Sequence, residues 1–419
     1  MQWRYMLKDV RRKIWFRAAL ISALSVILAL GGAVLAPLIP YDWSVKVGGN
    51  AVDTVLSILA SSMLAVTTFS LTAMVAAFSG ASQQVTPRAV QLLIRDRTAQ
   101  NALSTFLGGF VFSLVSIVAL TTGMYGEQGR VILFGGTIVV AIVIVLTLLR
   151  WIGRLVNFGR VHDAIELVEE NSRKALASFP GALLRTGRAI PSEAGFPVHD
   201  KRTGFLAHVD RETLGEFARE AGVTVQMAVG PGDFIDPVVP VAHVSRELSA
   251  EENKALAAAL AITRDRDFDQ DPRYGMQIFA EIAIRALSPA INDPGTAIQV
   301  LTCAQRVLDG FAEQDTAPEN RLEGLADMPL SFEEMVETLV IPIARDSAVM
   351  AEVGVRLQAM LGSLAAQIPD ARDFLKRLAS DALQRNRGAK LAPSDLDAVE
   401  TAHRRAFEFR IKCDQPLAR

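Results

Sequence analysis

The chain has 419 residues, half of them hydrophobic, and its 43 basic and 45 acidic side chains leave a formal net charge of −2 at pH 7. This balance argues against a dedicated nucleic-acid-binding protein, which would carry a strongly basic domain. The two cysteines, Cys303 and Cys413, are too few for a disulfide framework and lack the paired spacing of a zinc site, so we expect no metal centre.

Hydrophobicity is concentrated in the first third of the chain. Four apolar runs without internal charge cover about residues 18–39, 54–79, 102–124 and 131–149. Each is near the ~20 residues that a helix needs to cross a hydrocarbon core. We therefore predict a transmembrane domain of four helices over residues 1–154. The first run could instead be a signal peptide, but its apolar stretch exceeds the ~7–15 residues of a signal core.

The distribution of Lys and Arg predicts the orientation of these helices. The N-terminal segment, the second loop and the segment after the fourth run are rich in basic residues, whereas the first and third loops each carry one, Lys46 and Arg130. Cytoplasmic loops retain positive charge. We predict a multi-pass protein in the lipids of a bacterial inner (plasma) membrane, with both termini and the soluble region in the cytoplasm.

The second apolar run differs from the others because hydroxyl side chains recur along one face at helical spacing. They are Ser57, Ser61, Thr68, Thr72 and Ser79. Small hydroxyl residues allow helices to pack closely, and hydroxyls lining a pathway can replace the hydration shell of an ion or solute. From the sequence, helix packing is favoured over a water-filled pathway, and an oligomer could use the stripe for both. No ionisable residue lies deep in any run, which disfavours a proton-coupled transporter.

The rest of the chain predicts an α+β cytoplasmic domain. We expect a connecting helix over residues 155–185, a small β-rich subdomain over 186–246 and a helical subdomain over 247–419. Strand-like runs cover residues 204–209, 223–229 and 234–244, with a helix over 211–221 between the first two. Further helices are predicted over residues 249–263, 272–287 and 294–311, with a loop over 314–320.

A charged segment before the helix at residue 272 is a candidate ligand site. Asp267, Asp269 and Asp271 superficially match the opening of a calcium loop, but Pro272 and Ile278 stand where that loop requires Gly and a bidentate Glu. We therefore reject an EF-hand. A capped helix start with locally paired Asp and Arg is favoured over a regulatory ion or ligand site.

The turn that follows this helix is a second candidate. Arg285 ends the helix, and Asn292 and Asp293 can satisfy exposed amides at the start of the next one. A structural joint is favoured over a hinge or a subunit contact. The chain has no phosphate-binding glycine loop, serine-nucleophile elbow or zinc-protease helix, and we predict neither enzymatic activity nor a cofactor.

Several segments, taken in chain order, resemble the bacterial predicted membrane proteins of the domain-of-unknown-function 2254 family. In the membrane region they are residues 68–70, 86–88, 95–97 and 106–108, and in the soluble region residues 232–234 and the run from 269 to 294. The likeness extends to about Phe311. Departures are Thr86, where Ser is expected, and the absence of paired histidines after the fourth helix. The resemblance implies four membrane helices and a cytoplasmic domain, and it implies no activity or catalytic residues.

Our leading hypothesis is a homo-oligomeric, channel-like pore for ions or small solutes, with the second helix near a central axis and a regulatory cytoplasmic domain. The alternative is a non-conducting scaffold or sensor. Its cytoplasmic domain would bind a ligand or partner through the two polar segments, at Asp267, Asp269, Asp271, Arg285, Asn292 and Asp293. The sequence indicates neither the ion nor the number of subunits.

Overall fold

The computed structural model describes residues 14–35, 49–94, 96–125, 127–155, 159–179, 183–185, 187, 195–313 and 322–409. These residues form two compact units. The membrane unit contains the described residues of 14–83 and 90–163, and the C-terminal unit contains those of 84–89 and 164–409. The predicted loop over 314–320, Cys413 and most of the N-terminal basic residues lie outside the described part.

The membrane unit is built from helices. They are α1 (Ile14–Leu35), α2 (Gly49–Gln84), the short α3 (Pro87–Ile94), α4 (Arg97–Thr121) and α5 (Glu127–Leu155). The boundary between the two units falls within α3, after Ala89.

Three of these helices are long and apolar enough to cross a membrane, over Val52–Ser82, Thr98–Thr121 and Gly129–Leu155. In α1 the apolar stretch Phe16–Gly31 is shorter. Three of the four predicted spans are therefore confirmed. The first span stays a prediction, and its predicted end at residue 39 lies outside the described residues.

Helix α4 is the most buried span of the membrane unit, because two adjacent glycines let neighbours approach it from different directions. A Cβ at Gly108 would lie 2.7 Å from Ile21 Cγ2 on α1, and a Cβ at Gly109 would lie 2.7 Å from Ile144 Cδ1 on α5 and 3.5 Å from Met63 Cγ on α2. Small residues at such crossings allow the close van der Waals packing that holds membrane helices together.

The ends of the bundle are held by polar contacts. Asp96 caps α4 by accepting a hydrogen bond from Ala99 N, and its other oxygen lies 2.7 Å from Arg154 Nη2 near the end of α5. Arg17 on α1 donates to Asn101 on α4 at 2.9 Å. The Tyr125 hydroxyl donates to the carbonyl oxygen of Ala29.

The C-terminal unit mixes nine helices with short strands in its described part. The helices are α6 (Val161–Ala177), α7 (Arg211–Ala221), α8 (Ala250–Ala258), α9 (Pro272–Leu287), α10 (Pro294–Glu313), α11 (Phe332–Asp346), α12 (Ala351–Gln367), α13 (Arg372–Gly388) and α14 (Pro393–Arg404). A single 3₁₀ turn precedes α13, and a π-helical turn follows α14. The predicted helices at 211–221 and 272–287 are reproduced to the residue.

The strands form three small sheets. They are β1 (Leu183–Leu184), β2 (Phe196–His199), β3 (Gly204–Val209), β4 (Val225–Met227), β5 (Phe234–Ile235), β6 (Pro240–Val244), β7 (Leu260–Thr263), β8 (Leu325–Ala326) and β9 (Leu330–Ser331). The sheet orders are β1-β9, β2-β6-β4-β8 and β5-β3-β7. The C-terminal region is therefore mixed α and β, and its sheets draw strands from both sides of residue 247.

One predicted helix is wrong in its second half. The expected helix over residues 249–263 ends at Ala258, and Leu260–Thr263 pairs antiparallel with β3. Ser249 and Glu252 form a complete capping box that starts α8. The apolar residues after Ala258 suit either a helix or a buried strand by pattern alone, and the pairing with β3 decides between the two.

The C-terminal unit buries apolar residues both around its sheets and between its helices. Side chains of β3, β4, β6, α7 and α8 pack together around Leu206, Leu214 and Ile235. In the helical region α9 packs against α10 and α11, and α12 packs against α10, α13 and α14. The ring centroids of Phe311 and Phe332 lie 5.2 Å apart in this region.

Candidate functional site

The hydroxyl stripe of α2 lies on an uncovered face of the helix. All five side chains from Ser57 to Ser79 are exposed. The buried residues of α2 follow a different line and are Val52, Leu56, Met63, Ser70, Met74 and Ala81. At about 100° per residue the two lines lie roughly 150° apart around the helix. The rest of the described membrane unit therefore does not cover the hydroxyls.

Three of the five hydroxyls donate to backbone carbonyl groups of α2 itself. Ser61 Oγ donates to Ser57 O at 3.0 Å, Thr68 Oγ1 to Leu64 O at 2.9 Å and Thr72 Oγ1 to Thr68 O at 3.0 Å. A hydroxyl that donates in this way keeps acceptor lone pairs. The stripe can therefore face lipid at small cost, and it can also accept from water or contact a cation.

The stripe extends over the thickness of a membrane. From Ser57 to Ser79 the helix rises about 33 Å, and a hydrocarbon core is about 30 Å thick. Helix α2 itself continues beyond both ends and has 36 residues.

Helix α5 is a matched comparison for α2. Only 17% of the apolar window is buried in either helix. From Val131 to Leu149 the exposed large side chains of α5 are all apolar, and the charged Arg150 is exposed only where this stretch ends; the apolar ones are Ile138, Val139, Ile142, Val143, Val145, Leu146 and Leu149. A single hydroxyl, Thr147, lies among them and donates to Val143 O at 2.7 Å. Lipid suits the open face of α5, whereas the open face of α2 is partly polar.

In the structure, side chains of the charged segment before α9 form a cluster around the buried Asp271. Asp271 is fully buried and caps α9, because its side chain accepts a hydrogen bond from Tyr274 N at 3.2 Å. Its Oδ2 accepts from Arg266 Nε at 2.8 Å and from Arg266 Nη2 at 2.6 Å. The Arg266 guanidinium also lies 5.1 Å from the Tyr274 ring centroid.

The cluster joins α9 to the turn between β4 and β5. Arg273 Nη2 donates to Pro231 O at 2.8 Å and to Asp233 Oδ1 at 2.7 Å. Between these two partners Gly232 has a φ of 93°, and any Cβ there would collide with the Asp271 carboxylate. Only glycine suits this position, since it combines a left-handed backbone with a close approach to Asp271.

The ionisation of Asp271 reflects competing effects. Burial raises the pKa of Asp271, and the nearby guanidinium groups of Arg266 and Arg273 oppose that rise. Asp267, Asp269 and Arg285 are partly buried, and each interacts with other groups of the chain. The predicted ligand residues of this segment are therefore engaged within the fold, with Asp271 as a capping and pairing residue.

Asn292 and Asp293 lie in an exposed turn. The hydrogen bonds and ion pairs of Asp271 do not reach this turn. Asn292 adopts a φ of 52°, a left-handed conformation that asparagine tolerates. Asp293 caps α10 through Thr296 N at 3.0 Å and the Thr296 hydroxyl at 2.6 Å, and these bonds lower the pKa of Asp293. The predicted cap is confirmed.

The sequence prediction missed most members of the polar network. Arg266 Nη1 donates to Gln277 Oε1 at 2.7 Å, and Gln277 Nε2 donates to Glu281 Oε1 at 3.0 Å. Glu281 also pairs with Arg88. The spacing of Gln277 and Glu281, one helical turn apart, is the only signal in the sequence that could have joined two of these residues. In the described part of the chain no three metal-ligating side chains converge.

The protein family described as predicted membrane protein (DUF2254) matches residues 11–363. The chain belongs to this family. It is 26% identical over 271 residues to uncharacterized proteins of Mycobacterium tuberculosis and Mycobacterium bovis, which covers 60% of this chain and 51% of each relative. The chain thus spans about half the length of the curated relatives it matches. No solved structure matches this chain.

Proposed function

We propose that this membrane protein is a homo-oligomeric, channel-like pore for ions or small solutes in which α2 faces a central axis. The observation that carries the proposal is the uncovered hydroxyl stripe of α2. The C-terminal unit is the regulatory part, and we place it in the cytoplasm of a bacterium and the pore in the inner membrane.

Lipid would leave the acceptor lone pairs of this stripe unused. The open face of α5 shows what this protein presents to hydrocarbon, and it is almost wholly apolar. A polar stripe of membrane length instead suits close packing between copies, a water-filled pathway, or both in one assembly. Hydroxyls and pore width can select ions without any titrating group.

The sensor alternative has less support from the geometry. It requires ligand-binding groups in the segment that contains Asp271. That carboxylate is buried and held by Arg266 and by the amide of Tyr274. A ligand there would have to displace these partners, and displacing one partner of a buried ion pair is costly.

Ion flux into liposomes tests the proposal. The purified full-length protein is compared with empty liposomes while several cations and anions are offered. The key variant is Thr68→Leu, and Thr147→Leu on α5 is its matched control, since both threonines donate to a carbonyl one turn earlier. We expect selective flux that Thr68→Leu changes and Thr147→Leu leaves unchanged. Equal effects of the two variants, or no flux under varied voltage, pH and divalent ions, reject the pore.

A further inference from the structure

The covered interior of the membrane unit holds hydroxyl groups that its own backbone does not satisfy. In the part of this unit that the structure describes, Ser70, Ser104 and Ser116 are at most 1% exposed, and their hydroxyls have no hydrogen-bond partner. Ser113 and Thr137 are equally buried, but each donates to the carbonyl oxygen one turn earlier, at 2.9 Å and 2.7 Å. An unsatisfied buried hydroxyl costs free energy, so most such groups bond to the chain or to ordered water.

Ser116 faces a second buried hydroxyl across the contact between α4 and α5. The two helices approach closely where a Cβ at Gly109 would lie 2.7 Å from Ile144 Cδ1. Ser116 lies seven residues after Gly109, and Thr137 lies seven residues before Ile144. Seven residues return a helix to within about 20° of the same direction and advance it about 10 Å. The loop between α4 and α5 is short, and helices joined in this way run antiparallel. Both steps therefore lead to one level, where Ser116 and Thr137 lie on facing sides.

This level also offers acceptor atoms and space. Ser113 precedes Ser116 by three residues, so the two side chains are neighbours on α4. Because Ser113 and Thr137 donate their protons within their own helices, their oxygens offer lone pairs to a further partner. A Cβ added at Gly136, beside Thr137, would have one atom of another helix within 4 Å, Phe112 Cζ at 4.0 Å. Ser116 as a donor and two acceptors thus surround a region that is not filled by large side chains.

We propose that Ser116 binds a buried water molecule that bridges α4 and α5. The water accepts from Ser116 and donates to Ser113 and Thr137, which gives it the about three hydrogen bonds typical of buried water. A metal cation does not suit these groups, because the apolar runs of the membrane unit contain no acidic residue to balance its charge. The site lies on the covered side of the helices and does not rest on the proposed pore, which uses the uncovered face of α2.

A double-mutant cycle tests the bridge. Ser116→Ala removes the donor and Thr137→Val removes an acceptor, and the unfolding equilibrium of the full-length protein is measured in mixed detergent micelles. We expect each single variant to raise the equilibrium constant of unfolding about three- to tenfold, the range of one hydrogen bond. Because the second substitution acts on a bridge that is already lost, the double variant should unfold about threefold or more less than the product of the single effects.

Ser25→Ala on α1 is the matched control. Ser25 donates to Ile21 O at 2.8 Å and lies beside Gly108, on another side of α4. Its effect should combine additively with that of Thr137→Val, and circular dichroism checks that every variant keeps its helices. Additive effects of Ser116→Ala and Thr137→Val overturn the proposal. A Ser116→Ala variant at least as stable as the parent also overturns it, since alanine removes the cost of a dry, unsatisfied hydroxyl.

An experimental density map that shows ordered water provides a second, direct measurement. We expect a water peak about 2.7–3.0 Å from Ser116 Oγ and within hydrogen-bond distance of Thr137 Oγ1. A Ser116 hydroxyl that donates to Phe112 O, without such a peak, overturns the proposal. Neither measurement depends on ion flux, so failure of the water site and failure of the pore are distinguished.

Discussion

The two units place their polar side chains in opposite ways. In the membrane unit the hydroxyls of the α2 stripe point outward, and those of Ser61, Thr68 and Thr72 donate to carbonyl groups of their own helix. In the C-terminal unit Asp271 points inward, and Arg266 and the amide of Tyr274, both from the same segment, donate to it. The first arrangement leaves acceptor atoms for a partner outside the chain. The second uses its acceptors to hold α9 and the turn at Asp233 together.

This difference shows how local density of charge misleads a search for function. The segment from residue 264 to 274 is the most strongly charged of the chain, yet its central carboxylate has a structural role. The hydroxyl stripe is less conspicuous in the sequence. It becomes the better candidate only when its exposure and the apolar face of α5 are considered together.

Cross-linking between copies has the largest expected effect, because a cross-linked dimer band is expected for one variant and no such band for the other. In a chain with Cys303→Ala and Cys413→Ser, we expect Thr68→Cys to form an intermolecular disulfide on oxidation in membranes. Ile142→Cys on the open face of α5 should form no intermolecular disulfide, because we expect lipid to cover that face. Gel electrophoresis without reducing agent measures both. Equal cross-linking at the two positions would remove the distinction between the helices.

Removal of the buried carboxylate should be the most destabilising single change. Asp271→Ala leaves the partly buried Arg266 without its carboxylate partner and α9 without its cap, and breaking a buried ion pair costs about 3–5 kcal/mol. Asp265→Ala, at an exposed position of the same segment, should change stability little. Unfolding of the detergent-solubilised protein, followed by circular dichroism, compares them. A stable Asp271→Ala variant with intact secondary structure would show that the cluster is dispensable for folding.

Crowding the centre of the membrane unit comes next in size. Gly109→Val brings a side chain against Ile144 and Met63, and overpacking of this kind costs about 1–3 kcal/mol. At Gly135 on α5 nothing lies within 4 Å of an added Cβ, so Gly135→Val is the neutral counterpart. Thermal unfolding in detergent measures the difference. If both substitutions are tolerated, α4 does not hold α2 and α5 as closely as described.

Acid stability offers the smallest expected effect. The bonds from Thr296 lower the pKa of Asp293 in the folded chain. The stabilisation of the folded chain by ionised Asp293 is therefore complete above the pKa of an ordinary aspartate, about 3.9. It is lost as the pH falls through the lower pKa that Asp293 has in the folded chain. Asn caps helices as well as Asp. We expect Asp293→Asn to match the parent near neutrality and to lose less stability between about pH 4 and 2. Melting temperatures of Asp293→Asn and the parent that fall equally between about pH 4 and 2 would contradict this expectation.

Local signals predicted most individual elements. Asp210 and Gly222 bracket α7, and Asp271 with Pro272 starts α9, because capping residues act within one turn of the chain. Apolar length likewise predicted the spans in α2, α4 and α5. Where a local pattern suits two structures, as in Leu260–Thr263, the sequence could not decide, because the pairing with β3 joins distant residues.

The candidate sites were predictable in part. Helical periodicity placed the five hydroxyls on one face, but their exposure depends on where Met63 and Met74 pack. The pairing of Arg266 with Asp271 is local and was expected from the sequence, whereas the bond from Arg273 to Asp233 escaped prediction because it depends on the folded turn at Gly232. Long-range pairs of this kind leave no periodic trace in a single sequence.

The packing of α1 against α4 has a consequence for biosynthesis. Arg17 and its partner Asn101 are separated by 84 residues, so at ~5–20 residues per second α1 waits roughly 4 to 17 seconds for α4 to be made. During that interval the groove beside Gly108 does not yet exist, and Ile21 has no place to pack. A ribosome that stalls before residue 108 releases a fragment with an unmatched first helix. Quality-control proteases would be expected to recognise such a fragment, and assembly of this bundle is therefore committed only when α4 emerges.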